Sequence, residues 1–386
     1  MAGKSFIKEG QAGIGTQTTA ERTAGVSTAT GTVTFDVDDA VAYVYTGNTD
    51  GWSVIGEQTS SLAATGGQKF TVGSDTYHIF MNPDGGSQTF TVSAGSGNCE
   101  CLLVGGGGAS RGDNGGAGGG GGVVHAPALP FEPGPYAVTV GYGGTYHPAR
   151  NNNMPTWGGH STLTHPVGTI TAYGGQGGQN AGPGSSPPYA LLTPWTGPGG
   201  NTTFGSGAGG AVTNPSSQVS TRRPISEAQP SAPDFSGSVT NYGSIGGAGG
   251  PAIWTSGGGG GAGGDGIPSN PNQPSPTRGD GGPGQPFTNF PGPGLYPNLP
   301  SPATSYLGTA WRDALGPTGL FGGGGGGSLE NPATFYDGGP GGGSPGSSNG
   351  NSGTDGTGGG MGSLNSTDST SRQGGDGIVI IKYSAS

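Results

Sequence analysis

Apolar and polar residues alternate with a period of two near the start of the chain. Between residues 31 and 56 the apolar positions are Val33, Phe35 and Val37, then Val41, Tyr43 and Tyr45, then Trp52 and Val54. This alternation is typical of β-strands, and the breaks at Asp38-Asp39 and 46–51 have turn chemistry. The stretch therefore predicts a three-stranded meander. So small a sheet is scarcely stable alone, and we expect it to pack in an oligomer or on a neighbour.

The β pattern returns from Gln68 and persists to the end of the chain. Further β-type stretches lie at 69–72, 77–81, 88–92, 99–104, 136–144, 169–175 and 377–384. The last of them, GIVIIKYS, is among the most apolar, which indicates that it closes a sheet begun near Gln68. Everything between the two is then one domain.

Glycine clusters separate these stretches, and 93 of the 386 residues are glycine. A glycine run has weak helix propensity and, as a strand, lacks side chains for cross-strand contacts. The remaining regular form is polyglycine II, a left-handed extended helix with three residues per turn. It has no internal hydrogen bonds, so several such helices must bundle to pair their amides. The single alanines at 117, 208, 248 and 262 are expected at the rim of the bundle, where a methyl group finds room.

The predicted fold is therefore all-β. It consists of a small N-terminal β unit, a β-sandwich closed by the C-terminal strand, and a polyglycine II bundle with long loops. The regions are an irregular N-terminal arm (1–30), a β meander for attachment or oligomerisation (31–56), a Ser/Thr/Gly linker (57–67) and a glycine-rich domain (68–386).

The net charge restricts the binding partners that the sequence predicts, and the cysteines indicate core positions. A net charge of −10 with 12 basic residues disfavours nucleic acid, whose phosphates require a basic stripe. No signal-peptide core and no apolar run long enough for a bilayer is present, so we expect synthesis in a cytoplasm and no membrane insertion. Cys99 and Cys101 lie two residues apart on a predicted strand, too far for a disulfide, and are expected to be core residues.

No motif predicts an enzyme, a cofactor or a metal site. The sequence GSSNG at 346–350 fits G-x-S-x-G but lacks the strand-to-helix elbow that exposes a nucleophile. The segment 260–265 fits one calcium-binding nonapeptide, which requires tandem copies to stack. The five histidines show no metal-ligand spacing, and no carboxylate pair or nucleophile triad stands out.

The ordered segments CLLVGGGG, GGAGGGGGVV, PGPYAVTVGYGG and GGDGIVIIKY resemble the glycine-rich domain of tailed-phage tail fibres and tip adhesins. The resemblance covers about residues 77–386. It implies that polyglycine II helices form a packed sandwich and that the loops joining them carry host-receptor specificity. The loops here are long and Pro-rich, so no binding residue is transferred individually.

Aromatic residues in those loops are the candidate receptor-binding residues. Rigid rings supply contact area at low entropic cost, while Asn, Ser and Gly adapt their hydrogen bonds. We expect some of these rings to be exposed at one end of the bundle. The candidates are Tyr146, Trp157, Tyr189, Trp195, Trp254, Tyr296, Tyr306 and Trp311.

The sequence thus predicts a virion protein, a tail fibre or tip adhesin that binds without chemistry. Its expected partners are other virion proteins through the N-terminal region, a host surface polysaccharide or outer-membrane protein, and further copies of itself, preferably as a trimer. One alternative is a head decoration or fibre protein with no receptor. Another is an ice-binding protein, whose flat slab would carry regular Thr or Ala ranks. A polysaccharide depolymerase is disfavoured because no paired carboxylates are found.

Overall fold

The computed structural model divides the chain into two compact units, Met1–Ser61 and Leu62–Ser386. The boundary falls inside the predicted linker. The structure describes residues 15–20, 31–38, 41–45, 51–55, 62–81, 87–110, 115–146, 156–178, 205–212, 239–249, 255–269, 279–329, 334–348, 351–364 and 372–384.

The first unit contains a four-stranded sheet in the order β1-β2-β3-β4. Its strands are β1 (Gly15–Gln17), β2 (Val33–Asp36), β3 (Val41–Tyr45) and β4 (Trp52–Ile55). β2, β3 and β4 form the predicted antiparallel meander, whereas β1 lies in the stretch expected to be an irregular arm and pairs parallel to β2.

The polar face of β2 is the more buried one. Thr34 and Asp36 are enclosed, while Val37 is 52% exposed. The Asp36 carboxylate accepts bonds from the Thr19 hydroxyl at 3.1 Å and the Asp38 N–H at 3.0 Å. These bonds compensate the burial of its charge.

The second unit contains two sheets that share one apolar core. The six-stranded sheet has the order β15-β10-β9-β21-β7-β6 and the five-stranded sheet the order β13-β12-β11-β8-β5. The strands are β5 (Ala63–Thr65), β6 (Gln68–Val72), β7 (Asp75–Phe80), β8 (Ser87–Ala94), β9 (Gly97–Val104), β10 (Val123–Phe131), β11 (Gly134–Thr139), β12 (Ser161–His165), β13 (Gly168–Ala172), β15 (Thr240–Tyr242) and β21 (Ile378–Ser384). β5 lies in the predicted linker and pairs with β8, so that part of the segment belongs to the domain.

The C-terminal strand β21 lies between β9 and β7, as the prediction of a closing strand required. Its side chains alternate between two cores. Val379 and Ile381 face the five-stranded sheet together with Cys99 and Cys101, whereas Ile380 faces the opposite side. Both cysteines are free and buried, which confirms their predicted role, and burial raises the pKa of the Cys99 thiol to about 12.

A helical insertion covers the opposite side of the six-stranded sheet. It contains β17 (Gln285–Pro286), α1 (Gly292–Leu295), a 3-10 turn at Tyr296–Asn298, α2 (Ser301–Leu315) and β18 (Leu320–Phe321). This region was expected to be a Pro-rich loop. It folds because Ala303, Leu307, Trp311 and Leu315 are spaced four apart and pack together against the sheet, with a kink at Gly308 (φ 65°).

Glycine-rich segments, here called rods, extend from one end of the sandwich. Seven of them continue strands of the two sheets: they follow β9, β11, β13 and β15 or lead into β10, β12 and β21. The described rods are 105–110, 115–122, 141–146, 156–160, 173–178, 205–210, 243–249, 257–261, 279–284, 322–327, 336–340, 343–347, 358–364 and 372–377.

Backbone bonds in the rod 105–110 have a three-residue period. Its successive donors point to three different rods, and the fourth donor returns to the first. The bonds are Gly105 N to Gly122 O (2.9 Å), Gly106 N to Gly159 O (3.0 Å), Gly107 N to Gly375 O (2.9 Å) and Gly108 N to Gly119 O (2.8 Å). Its carbonyls accept from three further rods, through Gly144 N to Gly107 O, Gly175 N to Gly106 O and Met361 N to Gly108 O. This is the bundle of threefold helices predicted from the glycine content.

Close approach of backbones explains why these positions are glycine. A Cβ at Gly107 would come within 3.0 Å of the Gly359 carbonyl oxygen, and one at Gly118 within 3.0 Å of the Gly108 carbonyl oxygen. The prediction that the single alanines lie at the rim is wrong for Ala117 and Ala262, whereas Ala248 is half-buried. Ala117 is fully enclosed and Ala262 packs in the core beneath the insertion, so these methyl groups fill interior gaps and do not mark the rim.

Candidate functional site

The rod ends farthest from the sandwich meet at one end of the bundle, here called the outer end. It is defined by the described residues Ala109, Gly115, Tyr146, Thr156, Gly178, Leu364 and Arg372. Three bonds join them: Ala109 N to Thr156 O (3.3 Å), Gly178 N to Ala109 O (2.8 Å) and Tyr146 N to Arg372 O (2.8 Å). Ser363, next to Leu364, also donates from Oγ to Gly115 O at 2.8 Å. The described ends of these rods therefore lie together at one end of the bundle.

A buried apolar cluster and a small β-sheet stabilise the outer end. Ala109, Tyr146, Met361 and Leu364 form a small apolar cluster. Beside it, the four-stranded sheet β14-β16-β19-β20 is formed by Ala211–Val212, Thr255–Ser256, Ser328–Leu329 and Thr334–Phe335.

Three buried serines connect this small sheet to the rods. Ser363 Oγ lies 2.9 Å from Ser256 Oγ and 2.7 Å from Ser328 Oγ, and it donates to the Gly115 carbonyl. All three serines are fully enclosed. Their hydroxyls satisfy one another where water does not reach, which favours one fixed arrangement of the rod ends.

Two predicted receptor-binding residues lie at or near the outer end. Tyr146 is there but only 5% exposed, since its ring belongs to the apolar cluster. Trp157 follows Thr156 and is half-buried. Tyr189, Trp195 and Trp254 lie outside the described residues.

The other three predicted residues belong to the helical insertion and pack on the sheet. Trp311 is fully buried, and its indole N–H donates to Gly356 O at 3.0 Å. This differs from the expectation that the ring is presented to a receptor. Tyr296 and Tyr306 are half-buried against the same core, and the Arg312 guanidinium lies 5.6 Å from the Tyr296 ring centroid. The structure therefore does not bring these three together with Tyr146 and Trp157.

Tyr306 joins the insertion to the rod 372–377. Its hydroxyl donates to Asp376 Oδ2, while the Gly143 N–H donates to Asp376 Oδ1 at 2.6 Å. Burial, together with the Asp376 carboxylate, raises the pKa of Tyr306 far above its ordinary value. Burial and the neighbouring Asp376 charge also raise the pKa of Asp355, whose Oδ1 accepts the Asp376 N–H at 3.0 Å.

A charged cluster absent from the sequence prediction lies on the sheet face that the insertion covers. Glu100 accepts from His125 Nε2 at 2.9 Å, Lys382 Nζ at 3.0 Å and Asn289 Nδ2 at 2.9 Å. Burial opposes ionisation of Glu100, but these bonds outweigh it and lower the pKa to about 2. A carboxylate so fully paired is a poor proton donor at neutral pH. The cluster instead connects the sheet to the insertion through Asn289.

The sequence prediction also missed a row of side chains on the outer surface of the rods. Tyr142 is 58% exposed. The His160 and Tyr173 rings lie nearby, and their two centroids are 4.7 Å apart. The signal that identifies such positions is spacing by three, as in Tyr142 and Thr145, because residues i and i+3 of a threefold helix share a face.

These features define an all-β protein in which a sandwich carries a bundle of polyglycine II rods. A family model described as a glycine-rich domain matches residues 81–384, and the chain belongs to this family. Comparison with curated proteins and with solved structures returned no match.

Two further observations concern the described ranges. None of their helices combines the length and apolar character needed to cross a membrane. Within the same ranges, no three or more His, Cys, Asp or Glu side chains are grouped so that they could hold a metal ion.

Proposed function

We propose that this protein is a structural component of a tailed-phage particle, a tail fibre or tip adhesin that binds the host cell surface. Binding occurs at the outer end through the chain segments that join the rods. The receptor is a surface polysaccharide or an outer-membrane protein. The N-terminal unit attaches the protein to other virion components, and the assembled state is a homo-oligomer, with a trimer preferred.

The observation that carries this proposal is a closely bonded bundle whose described rod ends meet at one end. The rod 105–110 is hydrogen-bonded to rods on all sides, and the rod ends are joined by the apolar and serine clusters. Such a scaffold holds connecting segments in place while their sequences vary, as binding loops on rigid frameworks do. The resemblance to phage tail-fibre domains supports the same function.

An ice-binding slab is less well supported. It requires regular ranks of Thr or Ala on a flat outward face. The exposed positions of the described rods instead carry mixed residues, for example Tyr142 and Thr145 on one rod and Asp337 and Pro340 on another.

Host-cell binding by the full chain tests the proposal. In one variant, residues 147–155 and 365–371, which join rods at the outer end, are replaced by Gly-Ser linkers of equal length. The matched control replaces Pro166-Val167, between β12 and β13 at the opposite end of the sandwich. We expect the outer-end variant to lose cell binding and the control to retain it, with unchanged thermal unfolding in both. Equal binding by all three proteins refutes a receptor role and favours a decoration or fibre protein, whose place on the particle antibody labelling would show.

A further inference from the structure

The rods 141–146 and 156–160 carry side chains on their solvent side at intervals of three. Tyr142 and Thr145 are exposed, while Gly143 and Gly144 between them are buried. On the second rod, Trp157 and His160 are also three apart and half-buried. Three residues of a threefold helix rise by about 9 Å, so each rod presents a row of side chains along the flank of the bundle.

The Tyr142 ring is held against the neighbouring rod. The two rods are joined by the bond from Gly159 N to Tyr142 O at 2.7 Å. A Cβ at Gly159 would lie 3.0 and 3.1 Å from two carbons of the Tyr142 ring. The ring therefore rests on the glycine backbone, with 58% of the residue's surface left to solvent. A partner that stacks on it need not order the ring first.

His160 supplies a neutral polar group beside these rings. Its Nδ1 accepts the Gly174 N–H at 3.1 Å, so the neutral ring carries its proton on Nε2. Burial lowers the pKa of His160, which keeps the ring neutral at physiological pH. The His160 and Tyr173 rings meet in an edge-to-face contact. Their centroids are 4.7 Å apart, and the angle between the ring planes is 68°.

The two rods and the strands that they continue carry no formally charged side chain. Residues 134–146 and 156–178 contain no Asp, Glu, Lys or Arg. The exposed Tyr142 ring, the half-buried Trp157 ring, a hydroxyl at Thr145 and a neutral imidazole fit a ligand with apolar C–H faces and many hydroxyl groups. That combination is the chemistry of a sugar ring, whose C–H face stacks on an aromatic ring while its hydroxyls form hydrogen bonds.

We propose that this flank of the bundle binds an uncharged carbohydrate chain, with Tyr142 as the stacking platform and Trp157, His160 and Thr145 beside it. The site lies on the described rods themselves, and its Thr145 and Trp157 adjoin the outer end. It does not require the segments joining the rods to bind anything, so the proposal goes beyond the receptor role and does not depend on it.

Isothermal titration of the full chain tests the proposal with hexasaccharides of glucose, galactose, mannose and N-acetylglucosamine as probes. We expect at least one probe to bind. Tyr142→Ala should weaken that binding by about tenfold or more, the loss expected for one stacked ring. Tyr142→Phe, which keeps the ring, should bind nearly as well as the unaltered chain. Val167→Ser, at a comparably exposed apolar position in the sandwich (57%), is the control that should bind unchanged.

Two results overturn the proposal: no probe binds the unaltered chain, or Tyr142→Ala binds as tightly as the unaltered chain. If Tyr142→Ala fails to fold, His160→Gln replaces it, and retention of full affinity in that variant has the same meaning. A third result also overturns the proposal: no saccharide binds, but a host protein binds the unaltered chain and not Tyr142→Ala. That result shows a protein-docking surface. Loss of saccharide binding with intact cell binding separates this site from the outer end.

Discussion

Replacing Gly107 by alanine tests the physical basis of the bundle most directly. The backbone of Gly107 lies outside the left-handed region, so an alanine there is not strained by its own φ. The added Cβ would instead come within 3.0 Å of the Gly359 carbonyl oxygen. That oxygen accepts the Gly375 N–H at 2.7 Å. The rods that contain Gly107 and Gly359 are joined by a bond from Met361 N to Gly108 O at 3.0 Å. Accommodating one methyl group thus disturbs both bonds.

The expected cost follows from these contacts. Two weakened amide bonds cost about 1–3 kcal/mol together. Overpacking of an interior with no side chain to move adds about 1–3 kcal/mol. The lower backbone entropy of alanine in the unfolded chain returns about 0.4–1 kcal/mol. We expect Gly107→Ala to lower the free energy of unfolding by about 2–4 kcal/mol, equivalent to a fall in Tm of about 3–6 °C for a unit of this size.

The matched control is Gly97→Ala at the start of β9. A Cβ there meets Leu62 at 3.9 Å, which is ordinary contact. We expect its stability to change by less than about 0.5 kcal/mol. Chemical denaturation followed by circular dichroism, with calorimetry for Tm, measures both variants. If Gly107→Ala is as stable as Gly97→Ala, the rods are not closely packed and the account of the glycine content is wrong.

Three further predictions concern the insertion, the serines and the charged cluster. Trp311→Ala should destabilise the protein by about 3–5 kcal/mol in denaturant unfolding, because it empties a fully buried site; a change below about 1 kcal/mol contradicts packing of the insertion on the sheet. Ser363→Ala should cost about 1–3 kcal/mol by leaving the Gly115 carbonyl without its donor, and a neutral result in the same assay counts against the serine cluster. Because the pKa of Glu100 is lowered from 4.5 to about 2, its stabilisation is present above pH 4.5 and lost as pH falls towards 2. Glu100→Gln should therefore destabilise by about 2 kcal/mol at pH 7, allowing for solvent screening, and progressively less on acidification; a pH-independent difference refutes the assignment.

The architecture could be predicted from the sequence because its signals are local and strong. The apolar run of β21 is buried on both faces, and the glycine clusters exclude helix and strand, so both imply a specific environment. The insertion was missed for the opposite reason. Its apolar positions are four apart, but Pro300, Pro302 and Gly308 interrupt the helical pattern, so composition indicated a loop. Trp311 could not be assigned to the core without the sheet that covers it.

The candidate sites were harder to predict because they depend on contacts between distant residues. Glu100 meets Lys382 and Asn289 only after β21 and the insertion have packed on β9. The exposed tyrosine at 142 was passed over because its neighbours are glycines, although its spacing from Thr145 marks a common face. Aromatic content alone selected Trp311 and Tyr306, which the structure uses for packing and for a bond to Asp376.

The threefold period separates two kinds of position along each rod, and this separation supports a recognition role. Inward positions such as Gly106 and Gly107 are closed to side chains, since a Cβ there would meet backbone of the adjacent rod. Outward positions accept unlike residues, as Asp337 and Pro340 show on one rod and Tyr142 on another. The bundle is held by main-chain bonds, which are the same whatever side chain points outward. Substitution at outward positions and in the segments joining the rods therefore changes the surface without altering the scaffold, which is the property that a protein binding variable cell surfaces requires.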